Sequence, residues 1–359
     1  MEVLTYKCPN CGAALEFNSE SQQWDCKFCL SSFKQEQLET VTEAAQTAPC
    51  EAAATPMEEQ AGEAAQKQAG EPPVVYICPN CGAQLVTDSV TAASFCVFCG
   101  SPAIFPQQLT GGFTPQYVIP FQYKREDVLA RLKEICKKKK LLPRDFTQAS
   151  HIEKVTGVYV PFWLFDCRAQ GDLSARAQRV RTWRDSNYNY TETTHYAVER
   201  SGSSQFSKIP ADGSAKMDDA IMDALEPFDY NGLLPFQMAY LSGYLAERYD
   251  QTSQQVQERM EERVRRTLRG LLEETVQGYT AKQVESCHVN IDVTKREYAL
   301  LPVWVLATKY RDKYYMFTMN GQTGKIVGRY PVSWAKAALW FGGVTAAVAA
   351  AVFLGGLLL

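Results

Sequence analysis

Two sets of four cysteines constrain this chain more than any other feature. Cys8, Cys11, Cys26 and Cys29 are spaced C-x2-C-x14-C-x2-C, and Cys78, Cys81, Cys96 and Cys99 repeat that spacing. The octet CPNCGAAL at Cys8 to Leu15 returns as CPNCGAQL at Cys78 to Leu85. A C-x2-C pair sets two thiolates on one tight knuckle, and the glycine after the second cysteine, Gly12 or Gly82, relieves the turn. A 14-residue spacer is long enough for a β-hairpin that brings the second pair back to close a tetrahedral shell. Four thiolates leave no open position, so two structural zinc ions are expected. The apolar residues within each hairpin, Leu15 and Phe17 or Leu85 and Val86, are too few to fold it alone, which makes metal binding most of its folding energy. A redox role would need a thioredoxin-like βαβ pattern around the pairs, and none surrounds them.

Of the 12 cysteines, Cys50, Cys136, Cys167 and Cys287 lack ligand spacing. Met1 to Lys7 is too short for a secretory signal, so a reducing compartment is expected. A formal charge of −3 over 359 residues provides no global basic field for phosphate. Trp24, Lys27 and Phe28 on the first ribbon, and Phe95 and Phe98 on the second, could stack on bases or pack against a protein. The second ribbon has no lysine or arginine between Cys78 and Cys99, which favours protein contact. Only the first retains lysines, Lys7, Lys27 and Lys34.

The reading is a multidomain α+β chain. Ribbon 1 covers 1–34 and ribbon 2 covers 74–106. Residues 35–73, rich in Ala, Glu, Gln and Thr, form a flexible linker that leaves the ribbons as separate beads. The α+β body, 113–331, reads as two duplicated halves, about 113–230 and 231–331, each with antiparallel strands. VIPFQ (Val118 to Gln122) resembles LLPFQ (Leu233 to Gln237), and YVPFWLF (Tyr159 to Phe165) resembles LLPVWVL (Leu300 to Leu306). Helices are expected at Arg125 to Lys140, with Val128, Leu129, Leu132 and Ile135 on one face, and at about Ser253 to Val276, with Val256, Met260, Val264, Leu268 and Leu271. Turns are expected near Gly171, at Asp185 to Asn187, and at Asn320 and Gly321. GQTGK (Gly321 to Lys325) lacks the spacing of a phosphate loop and reads as a hairpin.

Ala337 to Leu359 carries no charge over 23 residues. At about 1.5 Å per residue it would reach across a bilayer core of about 30 Å. Lys325, Arg329 and Lys336 precede it and no acid follows Asp312, so a single-pass, tail-anchored protein of the cell membrane with a cytoplasmic N-terminal part is expected. Gly342, Ala346 and Ala350 share a small-residue face suited to self-association or to another membrane helix.

Other candidate sites have local explanations. The run Lys137 to Lys140 suits a helix C-terminus as well as an anionic surface. Asp218, Asp219, Asp223 and Glu226 suit a helix start as well as a metal. His151, His195 and His288 fall in different elements, and Cys287 and His288, adjacent in a strand, point to opposite sides. No nucleophile–base–orienter set emerges.

The strings VTGVYVPFWLFDCRAQG (Val155 to Gly171), DGSAKMDDAIMDALEPFDY (Asp212 to Tyr230), AYLSGYLAERYD (Ala239 to Asp250) and MNGQTGKIVG (Met319 to Gly328), with the N-terminal CPNCGA, resemble a bacterial family labelled TFIIB-type zinc-ribbon-containing proteins. The resemblance implies an N-terminal ribbon, an α+β body and a C-terminal membrane segment, and relatives beside phage-shock and SPFH-type membrane-stress proteins imply a membrane-associated scaffold. It carries over no catalytic residues, and the duplicate ribbon and long linker depart from single-ribbon members. Some members are labelled primosomal helicase-like, but no Walker A loop or paired acid motif is present here. The expected function is therefore a non-enzymatic adaptor whose ribbons recruit a protein partner at the membrane. The alternatives are a membrane-tethered nucleic-acid binder and, less favoured, an enzyme with a site between the halves near Trp163, His195 or the acidic helix.

Overall fold

The computed structural model describes residues 3–42, 74–143, 146, 152–311 and 313–357. Of the expected linker, only the helix α1 (Gln35–Thr42) lies within these residues; 43–73, with Cys50, lie outside them, as does His151.

Three long strands organise the body: β9 (Ile152–Arg184), β10 (Asn189–Asp212) and β13 (Ala281–Tyr310). Each is antiparallel to its neighbour, with β9 between the other two. Period-2 alternation explains their double-sided burial. Val158, Val160, Phe162 and Leu164 pack on one face with Met222 and Leu225 of a short helix, α3 (Asp219–Leu225). Phe165, Cys167 and Ala169 pack on the other with the 22-residue helix α4 (Ser253–Glu274). The body is thus mostly sheet with few helices, and its strands join one ten-stranded sheet. This corrects the expected α+β body.

Helix α4 buries Val256, Met260, Val264, Leu268 and Leu272, an unbroken i+4 stripe. Leu271, expected on that face, is exposed. Thr252 caps the helix by accepting from the Gln255 amide, while the Gln255 side chain accepts from the Thr252 amide. The helix α2 (Arg125–Lys138) buries Val128, Leu132 and Cys136. Gly171, expected at a turn, lies mid-strand beneath α4: a Cβ there would stand 3.0 Å from Leu272 and 3.1 Å from Leu268. The glycine admits the helix; the chain turns only at Asp185.

Equivalent hydrogen bonds recur across the β9–β13 pair. The Trp163 indole donates to the Gln251 carbonyl, 2.9 Å, and the Trp304 indole to the Tyr123 carbonyl, 3.2 Å. Gly213 N–H donates to Pro161 and Gly321 N–H to Pro302, while Asp250 donates to Gly213 and Gln122 to Gly321. These bonds equate the stretch before α2 with the stretch before α4. The strand β8 (Tyr117–Val118) is parallel to β13, as β12 (Leu245–Glu247) is to β9. The second PFQ phrase is out of phase with this pattern: its strand β11 (Leu234–Pro235) pairs with β8 instead.

The ribbons are built into the body rather than hung beside it. In ribbon 1, β1 (Leu15–Asn18) and β2 (Gln23–Cys26) form the hairpin, with β3 (Ser32–Phe33) paired to β2. Cys8, Leu15, Phe17, Trp24 and Cys26 share one core with Tyr240, Leu241 and Phe121. Phe17 N–H donates to the Ser242 carbonyl, 2.9 Å, and Gln22 Nε2 to the Phe121 carbonyl, 2.9 Å. In ribbon 2, β4 (Val74–Ile77) pairs with β5 (Gln84–Thr87), and β6 (Thr91–Phe95) pairs with β7 (Pro102–Ile104) and with β12, which extends the large sheet. Leu4 bridges to Ile104, so the approach to ribbon 1 is paired with the exit of ribbon 2.

The C-terminal helix α5 (Trp334–Leu357) forms, but the expected transmembrane helix is not supported. Among the described residues no helix is long and apolar enough to cross a membrane. Single-pass insertion, cell-membrane localisation and the cytoplasmic orientation that rested on it are therefore withdrawn.

Candidate metal centres

The structure gathers Cys8, Cys11, Cys26 and Cys29 into one group and Cys78, Cys81, Cys96 and Cys99 into another, with all four sulfurs of each within 4.8 Å of one another. Four sulfurs at about 2.3 Å from a tetrahedral ion would stand about 3.8 Å apart. The Sγ–Sγ distances include 3.5 Å for Cys8–Cys29, 3.4 Å for Cys11–Cys26, 3.8 Å for Cys78–Cys99 and 3.6 Å for Cys81–Cys96. These donor sets fit a metal ion.

Both knuckles of each ribbon are built alike. Gly12 N–H donates to the Cys8 carbonyl and Leu30 N–H to Cys26; Gly82 and Gly100 donate likewise to Cys78 and Cys96. Closing each turn this way requires positive φ at the donor, +74° at Gly12, +73° at Gly82 and +72° at Gly100. The fourth such position holds Leu30, at +58°. An L side chain there costs roughly 1–2 kcal/mol.

Polar neighbours bias the thiols toward thiolate on one side of each centre. The Asn80 amide, then the hydroxyl and amide of Ser101, lower Cys99 to about 5. The hydroxyl and then the amide of Ser31 lower Cys29 to about 6. Cys11 and Cys81 are raised to about 12: the Ala13 and Ala83 amides lower them, but hydrogen bonds from the other cysteines and desolvation outweigh this.

The aromatic residues expected on the ribbon surfaces divide. Trp24 is 1% exposed, and its indole donates to the Ala239 carbonyl at 2.8 Å. Phe95 is half-buried, and Lys27 is paired with Glu16 at 2.7 Å. Phe28 and Leu30 beside the first centre, 84% and 85% exposed, and Val97 and Phe98 beside the second, 84% and 73%, stand bare on the knuckles. Sequence reasoning missed Leu30, although aligning Cys29-Leu30 with Cys99-Gly100 shows the signal.

The remaining candidates do not converge on a site. Asp218 caps α3 by accepting from Ala220 and Ile221, Asp219 pairs with Arg259, and Glu226 holds Arg263 through both oxygens, 2.8 and 2.5 Å, with Asp223 at 3.6 Å. Burial raises Glu226 even so. His195 and His288 are exposed on the uncovered face of the long sheet, while Cys287 packs toward α4. Trp163 is set among Tyr249 and Tyr298. Lys139 and Lys140 lie over the rings of Tyr330 and Trp340, at 5.2 and 4.6 Å.

Fold and centres define a class: a sheet-rich protein with two four-cysteine ribbons built into its core. The chain is 36% identical over 342 residues, 95% of its own length and 94% of the relative's, to "Uncharacterized protein YdjG" of Bacillus subtilis (strain 168). It belongs to the same family as that protein. No family model matches the chain, and no solved structure matches it.

Proposed function

We propose that the chain is an adaptor of the TFIIB-type zinc-ribbon kind, in which two structural zinc ions hold the ribbons and the ribbon knuckles dock a protein partner. The observation that carries this reading is the pair of bare apolar knuckles, Phe28 with Leu30 and Val97 with Phe98. Large apolar side chains at such exposure, one of them held in a costly backbone conformation, suit contact surfaces. Four thiolates with no further donor suit zinc in a structural role. The ribbons themselves suit nucleic acid less well, because Trp24 is buried and Lys27 is already paired.

The test places a photo-crosslinking amino acid at position 28 or 98 in cells and compares it with position 200 on the body. Discrete adducts from 28 or 98 that disappear in the Cys78→Ser/Cys81→Ser or Cys8→Ser/Cys11→Ser chain support recruitment. Identical adduct patterns at all three positions would remove it.

A further inference from the structure

The third strand of the long sheet stops short of the hairpin end. Ala281, the first residue of β13, pairs with Gln178, and beyond that point β9 and β10 continue alone to the turn at Asp185–Tyr188. This two-stranded arm carries Arg179, Arg181 and Arg184 on one strand, all exposed. Trp183 and Tyr190, cross-strand partners, are stacked at 5.5 Å with 12° between their planes, and Tyr188 stands edge-on to Tyr190 at 6.3 Å. The three rings remain 45%, 40% and 66% exposed. Arg181 lies 5.6 Å over the Trp183 ring.

The acids at this end do not pair with its arginines. The Asp185 carboxylate is occupied by the amides of Asn187 and Tyr188, 2.9 Å each, and by the Tyr190 hydroxyl, 3.0 Å. Arg176, lower on the arm, is paired with Glu285. Glu192 stands opposite Arg181 in register, yet among the described residues Arg179, Arg181 and Arg184 form no ion pair, and Arg179 donates to the Gly278 carbonyl.

We infer that the arm tip binds single-stranded nucleic acid, with unstacked bases against Trp183, Tyr188 and Tyr190 and phosphates on Arg179 and Arg181, which alternate with Trp183 on one face of β9. Exposed rings interleaved with arginine are the elements of sequence-tolerant single-strand binding. A tip two strands wide offers little of the roughly 800 Å² per partner that a standard protein interface uses. A duplex keeps its base faces stacked and away from the rings. The site lies on the body and is independent of the ribbon reading.

The test is fluorescence anisotropy of the full, metal-loaded chain with a fluorescein-labelled twelve-nucleotide oligo(dT) or oligo(U). With about two phosphates engaged and a slope of roughly −0.7 per phosphate, raising salt from about 50 to about 200 mM should weaken binding roughly 7-fold. Trp183→Ala should weaken it roughly 5- to 100-fold. The Arg179→Ala/Arg181→Ala chain should remove most of the salt dependence. Phe28→Ala should leave binding unchanged, which separates this site from the ribbons. Lack of binding at about 50 mM salt, binding indifferent to Trp183→Ala, or equal retention by heparin or phosphatidylglycerol vesicles with the same mutational pattern would each overturn the inference.

Discussion

Trp24→Ala is the sharpest perturbation of the join between ribbon and body. The indole is packed against Phe17 at 5.1 Å and Tyr240 at 5.4 Å, and it donates to a body carbonyl, Ala239, 215 residues away in sequence. Losing roughly 200 Å² of buried ring surface at about 25 cal/mol per Å² removes about 5 kcal/mol. An unpaired Ala239 carbonyl adds about 1 kcal/mol, and partial collapse of the cavity returns some of the total, which sets the expectation at about 4 kcal/mol. Urea unfolding of the metal-loaded chain, followed by far-ultraviolet circular dichroism, reads the sheet of the body. With a slope of about 2–3 kcal/mol/M the midpoint should fall by about 1–2 M. Phe28→Ala, on the bare knuckle of the same ribbon, should stay within about 0.5 kcal/mol of the parent. If Trp24→Ala leaves the transition of the body where it was, the ribbon does not share its core and the reasoning fails.

Four further outcomes follow from named contacts. Cys29→Ser or Cys99→Ser should each lower bound metal from two ions per chain to one by elemental analysis; unchanged content would place the metal elsewhere. Leu30→Gly relieves a positive-φ leucine and should be neutral or stabilise by up to about 1 kcal/mol in thermal unfolding, while weakening crosslinking at position 28; a loss of stability would mean that Leu30 is held by packing. Arg263→Ala strips the partner from a largely buried Glu226 and should cost about 2–4 kcal/mol in urea, against a small cost for Arg266→Ala on the exposed side of α4. The amides of Asn187 and Tyr188 hold the Asp185 carboxyl below its ordinary range, so its contribution to the arm turn is present above the ordinary carboxylate pKa and lost as pH falls through the lowered value. The Asn187 and Tyr188 amide resonances should move in that acid window and stay put in Asp185→Asn.

The legible parts of the sequence were those fixed by short-range chemistry. Cysteine spacing locates the thiol groups because a knuckle is a local turn. An i+4 stripe locates α4, and Asp185 locates the arm turn because its carboxylate caps the amides that follow. What escaped depends on contacts distant in sequence. Trp24 reads as an aromatic on a small hairpin; only the Ala239–Ser242 stretch, two hundred residues on, decides that it is buried. Gly171 reads as a turn because the Leu268 and Leu272 methyls that require it belong to another element. The PFQ phrases match as letters, yet the indole bonds of Trp163 and Trp304 show that the equivalent of Tyr123 is Gln251. The uncharged C-terminal run led to a membrane span that the described helix does not sustain. The arm tip passed unremarked because Arg181, Trp183 and Tyr190 become a surface only once β13 is seen to end at Ala281.

On the proposed reading, eight cysteines close two all-sulfur centres on which the built-in ribbons depend. X-ray absorption at the zinc edge of the purified full chain, with metal quantified on the same sample, tests it most directly. Two ions per chain, each with four sulfurs at about 2.3 Å and no lighter ligand, is the predicted result. One ion per chain, or nitrogen or oxygen in the coordination shell, would contradict it.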